Sequence, residues 1–385
     1  MSKFYTNVTP KGDNLLVCGY ENGKKVNFKV PYKPYLFLPS KTKEDYTTLD
    51  GKFVTRMDFG SISDAREFIK EYSGVDGFEI FGMTIWQYPF INDYYQSPID
   101  FDPKLISVVI IDIEVAANEG FPSVDIANKP ITAITLKHRD QSIVLGCGIY
   151  KPHMENIRYV KCRDEEHLLR EFIHEWQTIQ PDVVTGWNVE MFDIPYIHNR
   201  VKNVLSKQDA NKLSPWNIVD DREIKMTGGM TYIAKMIAGV SVLDYLQLYK
   251  KFSYTPQESY RLDHIANYEL GEKKLDYSEY DSLLDLYKND FQKFIEYNIK
   301  DCELVDKLEE KLKFIDQVFT LAYDGRVNYI DTFTTVRMWD VIIHNYLLGQ
   351  GIVVPQTKVP DEDEPIVGAY VKDPQTGMHL SLIHI

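Results

Sequence analysis

Asp112 and Glu114 stand two apart at the C-terminal end of the apolar run Leu105-Ile106-Ser107-Val108-Val109-Ile110-Ile111. The run is almost continuously β-branched, which predicts a strand buried on both faces. Alternation along a strand puts positions two apart on one face, so the two carboxylates point the same way. Two like charges side by side in a buried setting need a cation between them or a proton on one of them. The plain alternative is a strand that runs out into solvent.

Asp193 is a third candidate. A helix is expected over 191–205, with Ile194, Ile197, Val201 and Val204 on one face. Pro195 is tolerated only near a helix start, so Asp193 falls in the first turn. It follows the short apolar run Asp182-Val183-Val184-Thr185-Gly186-Trp187-Asn188. A carboxylate at such a junction is a common functional position in α/β folds. It equally serves the helix dipole. Tyr297 and Asp301 are four apart on a long helix expected from 289 to about 315, which makes them neighbours on one face. Both lie among apolar positions, although a surface Tyr–Asp pair fits the same spacing. Asp244 ends the apolar run Ser241-Val242-Leu243 and reads as a structural acid near a strand end. Lys273 and Lys274 fall in a loop after Gly271 and, on composition alone, read as a solvated face.

These residues need elements to carry them. Alternating runs at 131–136 and 142–149 join the Asp112 strand in an expected antiparallel meander. A helix opening at Asp164-Glu165-Glu166 carries Leu168, Leu169, Phe172, Ile173 and Trp176 at helical spacing, and Pro181 ends it. A hairpin is expected over 222–236 with Gly228-Gly229 at its tip, and a helix over 259–270. Residues 1–104 read as strand-rich, with strands at 15–20 and 25–30 around the turn Glu21-Asn22-Gly23, then a short helix over 64–72. Beyond Asp316 the helical signal weakens. It returns over 333–348, and 353–365 reads as a linker rich in proline and acids.

At 385 residues the chain is long enough for two or three domains. Its 44% hydrophobic and 26% charged content are those of a globular protein, and no apolar run reaches membrane-spanning length, so no membrane partner is expected. The N-terminus lacks the apolar core of a signal peptide. Four scattered cysteines argue against zinc ribbons and disulfide frameworks and fit a reducing compartment. A net charge of −14 points away from nucleic acid, yet a local basic groove suffices to grip a strand end, and metal-binding carboxylates inflate the acid count.

Asp112-Ile113-Glu114, Asn188-Val189-Glu190-Met191-Phe192-Asp193 and Tyr297-Asn298-Ile299-Lys300-Asp301 occur in the order and at the separations of the Exo I, Exo II and Exo III motifs. On these the chain resembles the 3′→5′ proofreading exonuclease portion of a family B DNA polymerase of the T-even phage type. Phe192-Asp193-Ile194-Pro195-Tyr196 and Ser241-Val242-Leu243-Asp244-Tyr245 extend the likeness. The resemblance implies an α/β (α+β) fold. Its core is a ribonuclease H-like exonuclease domain at 105–313 with a mixed central sheet. A strand-rich N-terminal domain at 1–104 is joined by a return segment at 314–356, and 357–379 would be the start of a palm. The palm motif D-x-x-S-L-Y-P is absent, so the chain reads as truncated before the palm. One reverse translation of Leu380-Ser381-Leu382-Ile383-His384-Ile385 equals a transposase end sequence used in sequencing libraries, so 380–385 reads as an adapter scar.

The resemblance also implies roles. Asp112, Glu114, Asp193 and Asp301 would hold two Mg²⁺ or Mn²⁺ ions. Tyr297 would orient the attacking water, and Lys274 would approach the scissile phosphate. Phe121 would wedge against the terminal bases, and Asn188 would contact the 3′ end. The substrate would be a single-stranded or frayed DNA 3′ end, which mispaired termini offer at lower cost. Further partners would be a sliding clamp and other replisome proteins, reached through parts beyond this chain, in the host-cell cytoplasm. A stand-alone exoribonuclease of the same class, or a non-catalytic nucleic-acid-binding fragment, are the competing readings.

Overall fold

The computed structural model describes residues 3–72, 75, 78–95, 98–116, 122–225, 229 and 231–356. Phe121, Gly228 and everything past Gln356 lie outside them, and with them the expected palm start and scar. The fold is mixed α/β, with a strand-rich N-terminal region and a mixed central sheet. That architecture is consistent with a ribonuclease H-like exonuclease.

The chain opens with three antiparallel strands, Lys3–Lys11, Asn14–Glu21 and Lys24–Pro31. Glu21 pairs with Lys24 across a two-residue turn in which Asn22 and Gly23 both take positive φ (52° and 76°). Asn-Gly is the pair that such a turn favours. A second small sheet joins Tyr35–Pro39, Phe53–Asp58 and Tyr46–Thr48 to a strand from far along the chain, Ile352–Val353.

The central sheet has six strands in the order 157–161, 141–146, 131–138, 108–115, 183–186, 241–244. The expected meander is present: Val108–Val115, Ile131–His138 and Gln141–Gly146 run antiparallel in turn. Ile157–Lys161 then adds in parallel on one side, and Val183–Gly186 and Ser241–Asp244 in parallel on the other.

Pleating divides the Asp112 strand between two faces. Val109, Ile111 and Ile113 enter the core formed with Leu168, Phe172 and Trp176 of helix Glu165–Ile179 and Ile197 of helix Asp193–Val204. Ile110 joins the opposite core, with Leu304, Val305 and Leu308 of helix Phe291–Leu312. Asp112 and Glu114 share the parity of Ile110 and face that long helix.

The helix expected from 289 to about 315 is present as Phe291–Leu312, and a short helix that was not expected precedes it. Leu283–Asn289 ends at Asp290, whose carboxylate then caps Phe291–Leu312 by accepting from the Lys293 N–H at 3.0 Å. Beyond it the helix does not fade. Lys313 takes a left-handed conformation (φ 57°) and a new helix runs over Phe314–Gly325. Phe314, Ile315, Val318, Phe319, Ala322 and Tyr323 are its buried face, a period that restarts after the turn. The strand Ile157–Lys161 was not expected, because its burial does not alternate cleanly.

Candidate active site

Strand, loop and helix ends converge at the tip of the Asp112 strand. Asp112, Glu114 and Asp301 each offer a carboxylate oxygen, and these oxygens lie within 4.8 Å of one another. Asp193 stands beside the trio. Its Oδ1 accepts from the N–H of Ile113, the residue between Asp112 and Glu114, at 3.1 Å. Glu114, Asp193 and Asp301 are all buried (9%, 4% and 5% exposed). Four acids from three separate elements therefore share one nearly dry site.

The basic residue among them is Lys274. Its ammonium donates to Asp301 Oδ2 at 2.5 Å and to the Tyr297 hydroxyl at 3.2 Å. The solvated-face reading of this lysine is thus corrected. The loop after helix Leu262–Leu270 folds back because the Lys274 N–H donates to Asp263 Oδ1 at 2.9 Å, which aims the side chain inward. Tyr297 and Asp301 are buried as well, so theirs is not a surface pair. The Tyr297 ring packs edge-on against Tyr277, with centroids 5.2 Å apart.

Charge balance follows from this crowding. Burial, then the charges of Asp301, Asp193 and Glu114, push Asp112 well above the usual carboxylate range. Burial and Asp301 push Glu114 up to about 8, with Lys274 pulling back. Burial pushes Asp193 up to about 7 against the Ile113 N–H. Burial raises Asp301 despite Lys274. Burial opposes the charge on Lys274, but Asp301, Tyr297 and Asp112 outweigh it and hold the ammonium protonated. One lysine does not neutralise four buried acids, and the cluster calls for further positive charge.

Two residues that the sequence reading did not place in the site hold its geometry. Asp244 caps helix Tyr245–Phe252 by accepting from the Leu246 N–H, and it also accepts from the N–H groups of Asn188 and Glu190, at 2.9–3.1 Å. It thereby pins the turn that delivers Asp193. Asn188, with φ 69°, accepts at its carbonyl from Met191 and Phe192 as that turn begins. The second is Asn298, fully buried, whose amide donates to Asp112 Oδ2 at 2.6 Å. Its signal was available: it sits three before Asp301, on the same helix face. Of the hairpin, Val219–Lys225 pairs with Thr231–Ile237, and Gly229 is the described residue at its tip.

Comparison with known proteins bears on the same residues. The profile of the DNA polymerase family B exonuclease domain matches residues 91–265. Residues 91–265 belong to a family B DNA polymerase exonuclease domain. The match takes in Asp112, Glu114, Asn188, Asp193 and Asp244. Lys274, Tyr297 and Asp301 lie past its end, within a likeness that runs along most of the chain. The DNA-directed DNA polymerase of Escherichia phage RB69 is 34% identical over 97% of this chain and 44% of its own length. That of Enterobacteria phage T4 is 32% identical over 97% of this chain and 44% of its own length. The DNA polymerase delta catalytic subunit of Dictyostelium discoideum is 25% identical over 73% of this chain and 26% of its own length. The chain thus spans less than half the length of these relatives. Among the described residues, no helix is long and apolar enough to cross a membrane.

Proposed function

We propose that this chain removes nucleotides from DNA 3′ ends, as the proofreading part of a replicative family B polymerase. The observation that carries the reading is the convergence of Asp112, Glu114 and Asp301, with Asp193 beside them, at the tip of one strand. The donors are all carboxylate oxygens, which suits hard ions such as Mg²⁺ or Mn²⁺. Asp301 Oδ1 is buried without a hydrogen-bond partner, so an oxygen remains free to ligate. The residues therefore fit a divalent pair held by Asp112, Glu114, Asp193 and Asp301. Such a pair supplies a strong nucleophile at neutral pH and neutralises charge on the departing 3′ oxygen.

The protein's own groups do the rest. The Tyr297 hydroxyl, held by Lys274 and by ring packing on Tyr277, orients the attacking water. Glu114, on the same strand face as Asp112, helps to place it. The Lys274 ammonium, held beside Asp301 and Tyr297, offsets the charge of the scissile phosphate. Asn188 contacts the 3′ end from the turn before Asp193, and Phe121 wedges against the terminal bases. Residues 1–104 and 314–356 act as one supporting domain.

Polarity and substrate are tested together. Single-stranded DNA and RNA oligomers carrying a 5′ label are incubated with the protein and Mg²⁺. The reading predicts a ladder of DNA shortened from the 3′ end, with 5′-mononucleotides released. RNA degraded in preference to DNA identifies an exoribonuclease instead, and binding without cleavage identifies a non-catalytic fragment.

A further inference from the structure

We propose that Asn298 is a positioning residue that fixes the Asp112 carboxylate for cation binding, and that Thr135 fixes Asn298 in turn. This deepens the metal-ligand reading of Asp112 and rests on it.

The three side chains form a directed relay. Thr135 lies opposite Asp112 in the sheet register, so both point from one face. The Thr135 hydroxyl donates to Asn298 Oδ1 at 2.5 Å, and Asn298 Nδ2 donates to Asp112 Oδ2 at 2.6 Å. Thr135 and Asn298 are both wholly buried, so neither turns to solvent for another partner. The direction is forced by chemistry. With a cation bound, Asp112 is ionised and only accepts, so the amide must present its NH₂ to it. Its oxygen then faces Thr135, whose hydroxyl must donate. Removing that hydroxyl removes the reason for the amide to keep this orientation.

The arrangement leaves one carboxylate oxygen for a cation. One oxygen of Asp112 is occupied, which sets the plane of the carboxylate and leaves Oδ1 outside the relay. The clamp is also neutral. Lys274 on Asp301 adds a positive charge that competes with an incoming cation, whereas the Asn298 amide steadies Asp112 without repelling one. Clamp and ligand share a helix, since Asn298 and Asp301 both belong to Phe291–Leu312. Docking that helix therefore orients the strand carboxylate and delivers the helix carboxylate in one step.

A merely structural Asn298 would fill the helix–sheet contact and affect stability alone. The test measures Mn²⁺ binding by the electron paramagnetic resonance signal of free Mn²⁺, for the wild type, N298A, T135V, T135S and D112A. Hydrolysis of single-stranded DNA is followed against Mn²⁺ concentration in parallel. N298A and T135V should need about 10- to 100-fold more Mn²⁺ for half-saturation. T135S, which keeps the hydroxyl, should bind like the wild type, and N298A hydrolysis should recover at saturating Mn²⁺. T135V is nearly isosteric and carries the test if N298A fails to fold. Wild-type Mn²⁺ affinity in N298A and T135V, with D112A weakened, overturns the proposal alone. D112A binding Mn²⁺ as tightly as the wild type overturns the metal reading of Asp112 and the proposal with it.

Discussion

Asp112, Glu114, Asp193 and Asp301 repel one another in a buried space that Lys274 only partly compensates. Carboxylates whose pKa is raised by folding hold protons that the unfolded chain has released. The resulting stability is complete below about pH 4, where both states are protonated. It erodes as pH rises and is gone above the folded values, about 7 for Asp193 and about 8 for Glu114. The metal-free protein should therefore lose melting temperature between pH 5 and 8.5, and saturating Mg²⁺ should flatten that loss. Thermal melts in EDTA and in Mg²⁺ across this range check it, and an EDTA profile that is flat would contradict it. By the same reasoning Asp112→Asn should raise the melting temperature of the metal-free protein while abolishing hydrolysis. The gain should show as a higher midpoint in denaturant unfolding. The shared face of Asp112 and Glu114 was legible in the sequence because strand alternation is local. The setting of Lys274 was not. Its partner Asp301 lies 27 positions away, and the loop is turned inward by a backbone bond to Asp263 that no spacing rule reveals.

Elements bring these residues together through two tight contacts. At Gly186 a Cβ would stand 2.4 Å from the Ile111 carbonyl oxygen and 2.5 Å from Val189 Cγ1. Only glycine lets strand Val183–Gly186 end so close to the Asp112 strand. Gly186→Ala should destabilise the protein by about 1–3 kcal/mol through forced backbone shifts, and it should lower hydrolysis more than that loss explains. Asp244 secures the other side of the same turn. Asp244→Ala removes a helix cap and two backbone anchors, at a cost of about 1–2 kcal/mol for the cap alone. It should weaken divalent binding because the Asp193 turn loosens, which calorimetric titration would detect. Strands, amphipathic helices and the Asn-Gly hairpin were legible from periodicity and turn chemistry. The restart of the helix at Phe314 was missed because its period is offset by the left-handed Lys313. The short helix Leu283–Asn289 was missed because seven residues show too little of a helical period.

At the scale of the molecule, the N-terminal strands are stitched to distant chain by buried polar contacts. The Asn328 side chain accepts from the Val8 N–H at 2.8 Å and donates to the Val8 carbonyl at 3.0 Å. The Tyr5 hydroxyl donates to the Val327 carbonyl at 2.7 Å, and Tyr323 donates back to the Tyr5 carbonyl at 2.7 Å. Asp182, wholly buried at the start of strand Val183–Gly186, accepts from Thr6, Tyr20 and the Ser107 N–H and pairs with Lys25 at 2.8 Å. Asp182→Ala strands a cation and several donors. It should cost about 3–5 kcal/mol, measured by denaturant unfolding, and a loss below 1 kcal/mol would contradict the interlock. The individual contacts were not legible in the residue pattern, since each joins positions far apart in the chain and involves residue types common on surfaces.

The central claim is that carboxylates gathered at one strand tip hold the cations that cleave a 3′-terminal phosphodiester. The most direct measurement is Mg²⁺-dependent release of 5′-mononucleotides from single-stranded DNA by the Asp112→Ala, Glu114→Ala double variant, beside its thermal melt. The account predicts release at background with folding intact and metal-free stability equal to or above that of the wild type. Wild-type release from the folded double variant would contradict it.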